Sequence, residues 1–146
     1  MPAFVVAADG AVVRDGRYLM IVRGLNDTQA PGVLAFLGGK VERTDGPDQV
    51  LEQTLRREIA EEVGLEIDQE TFYLESAAFT MDTGEPAVWV VFLCRYRGTG
   101  EPVSESIEVD SAAWMTPSEI AAHPRVPDWV PATIERAERL RAKVGW

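Results

Sequence analysis

A mixed β-sheet sandwiched between helices, within the α/β class, is the fold this sequence predicts, and three observations point to it. Short β-rich runs alternate with helical stripes, but without the regular strand–helix–strand rhythm of a doubly wound parallel sheet. Asp15-Gly16, set between two β-rich runs, signals a hairpin and hence antiparallel pairing. Leu51, Leu55, Ile59 and Val63 recur every four positions, as in the seam of a helix laid on a core.

The elements follow in order. Phe4 to Val13 and Arg17 to Arg23 are β-rich and form the two arms of the hairpin. Gly24 to Gly32, carrying Asn26, Asp27 and Pro31, reads as a loop. Val33 to Leu37 is a short strand entering Gly38-Gly39, and turn residues from Thr44 to Asp48 lead into a helix over roughly Gln49 to Val63. Gly64 sits where a helix C-terminus is closed. Strands return at Phe72 to Met81 and Ala87 to Tyr96 around the turn Asp82 to Glu85, with a further short strand at Val109 to Met115. Thr116-Pro117-Ser118-Glu119 has the spacing of a capping box with proline at the first helical position. A last helix begins near Asp128 and carries Ile134, Ala137, Leu140 and Val144 as one apolar stripe.

Length and charge narrow the function. At 146 residues the chain is expected to be one domain, long enough for a single substantial core. Its 14 Lys and Arg against 24 Asp and Glu give a formal net charge of −10, which argues against a protein that grips a nucleic acid polymer through phosphate contacts. An anionic substrate would need cations to mediate. The single cysteine, Cys94, excludes an intrachain disulfide and fits a reducing compartment, so a cytoplasmic location is expected. Burial in a strand suits Cys94 better than a nucleophilic role. No segment reads as a targeting peptide, and the longest apolar stretch, Ala87 to Cys94, is too short to span a membrane.

The chemistry concentrates in nine residues, Arg57-Glu58-Ile59-Ala60-Glu61-Glu62-Val63-Gly64-Leu65. Glu58 lies three and four positions from Glu61 and Glu62, a spacing at which like charges destabilise a helix. The carboxylates also crowd the C-terminal turn, the negative end of the helix dipole, which favours cations. A solvated acidic face is the plain alternative. Against it, Glu58 and Glu62 border the apolar seam, where partly desolvated carboxylates need a partner. A bound metal supplies one.

The run R-E-I-A-E-E-V-G-L at 57 to 65, preceded by G-G-K-V-E at 38 to 42, resembles the Nudix box of the Nudix hydrolases, G-x5-E-x7-R-E-U-x-E-E-x-G-U with U aliphatic. Its second half matches at every specified position, an agreement expected by chance in roughly one window in a million from average residue usage. The first half departs. Gly39 to Arg57 spans 18 residues, four more than the pattern allows, and if Thr44 to Pro47 are the extra ones, uncharged Gln49 takes the place of the first glutamate. Leu37 stands where many members have proline.

The resemblance implies a Nudix-type α/β/α sandwich around a central mixed sheet, Mg2+ or Mn2+ as cofactor, and cleavage of a diphosphate linkage in a nucleoside di- or triphosphate or nucleotide conjugate. A non-catalytic nucleotide-binding or regulatory domain of the same fold is the alternative. Glutamate oxygens are hard ligands suited to these cations. Carried onto this chain, the resemblance makes Glu58 and Glu62 metal ligands and Glu61 either a third ligand or the base. Arg57 would orient one of these carboxylates, with simple helix-surface pairing as the competing role. A main-chain carbonyl near Gly38 would add a ligand, and Gly39 and Lys40 would meet phosphate, with a solvated loop position as the equal alternative for Lys40. An additional acidic group is expected from a loop after the sheet, with Glu108 first, then Glu105 and Glu101. Phe36, Phe79, Trp89 and Tyr18 are candidates for stacking on a base, competing with roles in the core. The expected partner is a small-molecule nucleotide, with no membrane and no nucleic acid polymer, and a homodimer is an open expectation.

Overall fold

The computed structural model describes residues 3–24, 32–103 and 109–146. β1 (Val5–Arg14) and β2 (Arg17–Arg23) form the expected hairpin, with Arg14 opposite Arg17 and Val13 opposite Tyr18. Asp15 and Gly16 both have positive φ, 50° and 76°, as a two-residue turn matched to right-handed strand twist requires. β3 (Leu34–Ala35) then pairs with β2, and β4 (Leu37–Lys40) pairs instead with β1, placing Gly38 opposite Asp9. The single strand expected over Val33 to Leu37 is therefore split at Phe36. Gly38 and Gly39 lie inside a strand, not beyond its end.

A turn of 3-10 helix at Arg43–Asp45 leads to α1 (Val50–Val63). β5 (Phe72–Thr80) and β6 (Pro86–Arg95) form the second hairpin, and β7 (Val109–Met115) pairs with β2. α2 (Pro117–Ala122) starts at the predicted capping box: Glu119 N donates to Thr116 Oγ1 at 3.2 Å and Thr116 N to Glu119 Oε1 at 3.0 Å. α3 (Val130–Val144) begins two residues later than Asp128.

The sheet runs β3-β2-β1-β6-β5, with β4 beside β1 and β7 beside β2. β1 and β6 are parallel and the remaining pairs antiparallel, which is the mixed sheet the sequence predicts. Alternation along the strands sorts the core into two layers. Leu55, Ile59 and Val63 of α1 pack with Ala8, Val12, Leu19 and Leu37 on one face. Val130, Ile134 and Ala137 of α3 pack with Ala11, Val13, Met20 and Val91 on the other. Full burial of Leu55 and Ile59 stabilises by about 2 kcal/mol each. Cys94 is buried and free, and burial pushes its thiol pKa up, as suits a packing role. His123 closes α2, its Nδ1 accepting from Arg125 N at 3.1 Å. Among the described residues no helix is long and apolar enough to cross a membrane.

Candidate active site

α1 is anchored at both ends of the acidic run. Gly64, at φ 73°, closes the helix by donating its N–H to Ala60 O at 3.0 Å, so the carboxylates lie in the last two turns. At residue 39 a side chain would displace Glu58: a Cβ there would lie 2.5 and 2.7 Å from the Glu58 carboxylate oxygens. Gly39 thereby lets β4 and Glu58 meet directly.

Glu58 and Glu62 point the same way, one turn apart. Glu62 is 6 % exposed, and its carboxyl lies within hydrogen-bond reach of Glu58. Burial pushes both carboxyls above the ordinary range. Asp9, half-buried beside Gly38, is pushed up to about 7, chiefly by burial, with Glu58 adding to the effect and Arg23 opposing it. Glu61 differs: its side chain is 61 % exposed and turned toward Arg57.

Arg57 holds these parts together. Its Nε donates to Asp45 Oδ1 at 2.7 Å and its Nη2 to Asp45 Oδ2 at 3.1 Å. Nη1 reaches Glu58 Oε1 at 2.9 Å and Glu61 Oε2 at 3.3 Å, while Nη2 also donates to Lys40 O at 3.1 Å. The five contacts match the five N–H groups of a guanidinium. Asp45 is itself buried and also accepts from Glu42 N at 2.7 Å and Thr54 Oγ1 at 2.9 Å. The Arg57 guanidinium beside Asp45 holds that carboxyl well below the usual range.

Asp45 alters the reading of the box. It lies six residues after Gly39, where the pattern has its first acid, so the extra residues fall between Asp45 and α1. Gln49 is not the substitute: it is exposed, at φ 49°, and precedes α1. The signal was legible as a G-x5-acid spacing.

Lys40 is exposed, and the interaction it makes here is through its carbonyl. Glu105 and Glu108 lie outside the described residues. Glu101 is described and pairs with Arg14 at 3.1 Å. Tyr18 is fully buried, its hydroxyl donating to Glu138, so it serves the core. Asp9 went unread, although a carboxylate inside the apolar run of β1 was a visible anomaly.

The donor set fits a hard divalent cation, being oxygen only, and among the described residues Arg57 and the charge of Arg23 offset part of its negative charge. Among the described residues no three acidic, His or Cys side chains are already gathered in metal-holding geometry; Glu58 and Glu62 form a pair and Glu61 faces away. Two clefts, of about 310 and 410 Å3, lie elsewhere. One is behind α1 at Arg56, Ala60 and Ile67, the other at the β1–β2 turn and the end of β6. Neither gathers a pair of carboxylates that could hold a divalent cation, so the acidic face of α1 remains the candidate site.

Comparison with known proteins gives a consistent answer. The NUDIX domain family model matches residues 4–136. The chain is 32% identical over 124 residues to the NAD-capped RNA hydrolase NudC of Deinococcus radiodurans, a match covering 84% of this chain and 40% of that protein. The chain thus spans well under half the length of this curated relative. A MutT NUDIX hydrolase from Burkholderia pseudomallei superposes with a TM-score of 0.72 at 26% identity, covering 94% of this chain and 98% of that one. The NUDIX domain of Shewanella oneidensis NrtR, in complex with ADP ribose, superposes at 0.75 with 19% identity, covering 96% of this chain and 90% of that one; this likeness shows the fold. With the REUxEExGU run at the end of α1 and the sandwich around it, the chain belongs to the Nudix family.

Proposed function

We propose that this chain is a divalent-metal-dependent Nudix pyrophosphohydrolase cleaving a diphosphate linkage in a nucleoside di- or triphosphate or a nucleotide conjugate. The observation that carries the reading is the pair of buried Glu62 and half-buried Glu58 against the side-chain-free strand at Gly39. Mg2+ or Mn2+ held there would neutralise charge on the diphosphate and acidify or orient the attacking water.

The protein's own residues divide the remaining work. Glu58 and Glu62 hold the cation, and the main-chain carbonyl near Gly38 is a further donor. Arg57 is a positioning residue: its N–H groups are spent on Asp45, Glu58, Glu61 and Lys40 O, leaving none for phosphate. Glu61, the exposed member, is either the base that takes the proton from water or a further ligand. Gly39 would permit close approach of phosphate to the strand, exposed Lys40 would meet the outer phosphate, and Glu108 is the additional acid proposed from the loop.

A screen of nucleoside triphosphates, nucleotide sugars, ADP-ribose, dinucleoside polyphosphates and oxidised nucleotides for Mg2+-dependent product release tests this, with Glu61→Gln as control. At least one should turn over, and the substitution should lower kcat by roughly 100-fold or more. Undiminished turnover in Glu61→Gln would overturn its role. The second reading, a domain that binds a nucleotide without turnover, draws on the relative captured with ADP ribose. Tight binding of one compound with no product from any would favour it.

A further inference from the structure

The larger of the two clefts away from the acidic face of α1, about 410 Å3, gathers cations in a chain that is short of them. Its lining holds Arg14, Arg95, Arg97 and Arg141, four of the 14 basic residues in a sequence of net charge −10. Asp15, exposed on the β1–β2 turn, is the one carboxylate side chain among the lining residues. Guanidiniums sharing one cleft repel each other unless negative charge lies among them.

That negative charge is unevenly supplied. Glu101 holds Arg14 at 3.1 Å and Glu138 holds Arg141 at 2.8 Å, both from outside the lining. Arg95 and Arg97 have a single carboxylate oxygen between them: Asp68 Oδ2 lies 3.4 Å from Arg95 Nε and 2.7 Å from Arg97 Nε. The buried Arg95 Nε makes no hydrogen bond among the described residues. Two guanidiniums against one carboxylate leave a positive charge at this end of the cleft.

The walls are set before any ligand arrives. Arg95 lies over the Trp146 ring, 4.6 Å from its centroid, and Arg14 over Trp114 at 4.3 Å. Stacking of this kind fixes the plane of a guanidinium. The Tyr96 hydroxyl accepts from Gly100 N at 2.9 Å, and Arg14 Nη1 donates to Gly100 O at 2.8 Å, so the segment after β6 is tied to both side chains. A site assembled in advance loses less affinity to ordering its side chains.

The strand β1 separates this cleft from the carboxylates of α1. Gly39 lies opposite Ala8, and Arg14 is at the far end of the same strand, roughly 20 Å away at the rise of a β-strand. A single diphosphate cannot touch both places.

We propose that this cleft is a second anion site, which takes a phosphoryl group of a small phosphate compound on Arg95 and Arg97 without a divalent cation. The planar fork of a guanidinium matches two phosphate oxygens, and two forks around one carboxylate suit a dianion better than a monoanion. The site stands whether or not the reaction proposed at Glu58 and Glu62 does.

Leaving out the metal separates the two places, because the carboxylates of α1 repel an anion when no cation is bound. Calorimetric titration of the full chain with inorganic pyrophosphate and with ADP, in metal-free buffer at fixed ionic strength, should show saturable pyrophosphate binding with a Kd of roughly 1 mM or tighter. Arg95→Gln should weaken it about tenfold, the loss of a hydrogen bond to a charged group. Arg97→Glu reverses a charge at a side chain that is 69 % exposed, where folding is not at stake, and should abolish binding. Pyrophosphate and ADP bound alike would make the free anion the ligand, and ADP bound tighter would make it the phosphates of a nucleotide; both results support the site. An absence of saturable binding without metal, or binding untouched by both arginine variants, would overturn it. So would binding lost in Glu62→Gln, which would put the anion at α1.

Discussion

At the scale of single residues, Asp45 and Arg57 hold the acidic run in place through hydrogen bonds. Asp45 is buried and saturated with donors, so its removal strands a partly buried guanidinium. Asp45→Asn should lower stability by about 2 kcal/mol, read from the urea midpoint, and should reduce activity by releasing Arg57 from Glu58. The pH dependence has a definite sign. Asp45 is held below its ordinary value of 3.8, so its contribution is complete above that pH and is lost as pH falls through the depressed folded value. The stability gap between wild type and Asp45→Asn should therefore be constant near neutrality and shrink below about pH 4. A gap that widened on acidification would contradict the assignment. The sequence made Arg57, Glu58, Glu61 and Glu62 legible because helical spacing alone fixes their relation. It left Asp45 unread because a single gap between motif halves can be aligned in two ways, and only folding shows which acid reaches Arg57.

At the scale of elements, the loop before α1 and the strand beside it carry the consequences. Gln49 is exposed and left-handed, a conformation costly for any residue with a Cβ. Gln49→Gly should raise stability by about 0.5–1 kcal/mol with activity unchanged, whereas loss of activity would restore Gln49 to the box. Gly39→Ala addresses the opposite case. Its methyl group would strike the Glu58 carboxyl, so catalysis should fall at least tenfold while the thermal midpoint shifts by only a few degrees. Most strands and helices were readable from hairpin, capping and seam signals. The break at Phe36 was not, because the exchange of partner from β2 to β1 depends on tertiary pairing that no local pattern records.

At the scale of the whole molecule, an acidic chain of net charge −10 would have to admit the anionic substrate of the proposed reaction. Long-range repulsion should slow encounter, and screening should relieve it. Raising monovalent salt from low to physiological ionic strength at fixed free Mg2+ should increase kcat/KM; a steep fall would point instead to a basic docking surface. The sandwich and its mixed sheet were foreseeable from the rhythm of the elements. The convergence of Trp129 with Trp89 and Phe79 was not, since they come from α3's leading edge and two strands distant in sequence. The central claim is that Glu58 and Glu62 hold a divalent cation at the end of α1, and anomalous scattering from Mn2+-soaked crystals at the manganese edge tests it most directly. The account predicts a peak in contact with both carboxylates that disappears in Glu58→Gln; Mn2+ bound elsewhere, with that pair left empty, would contradict it.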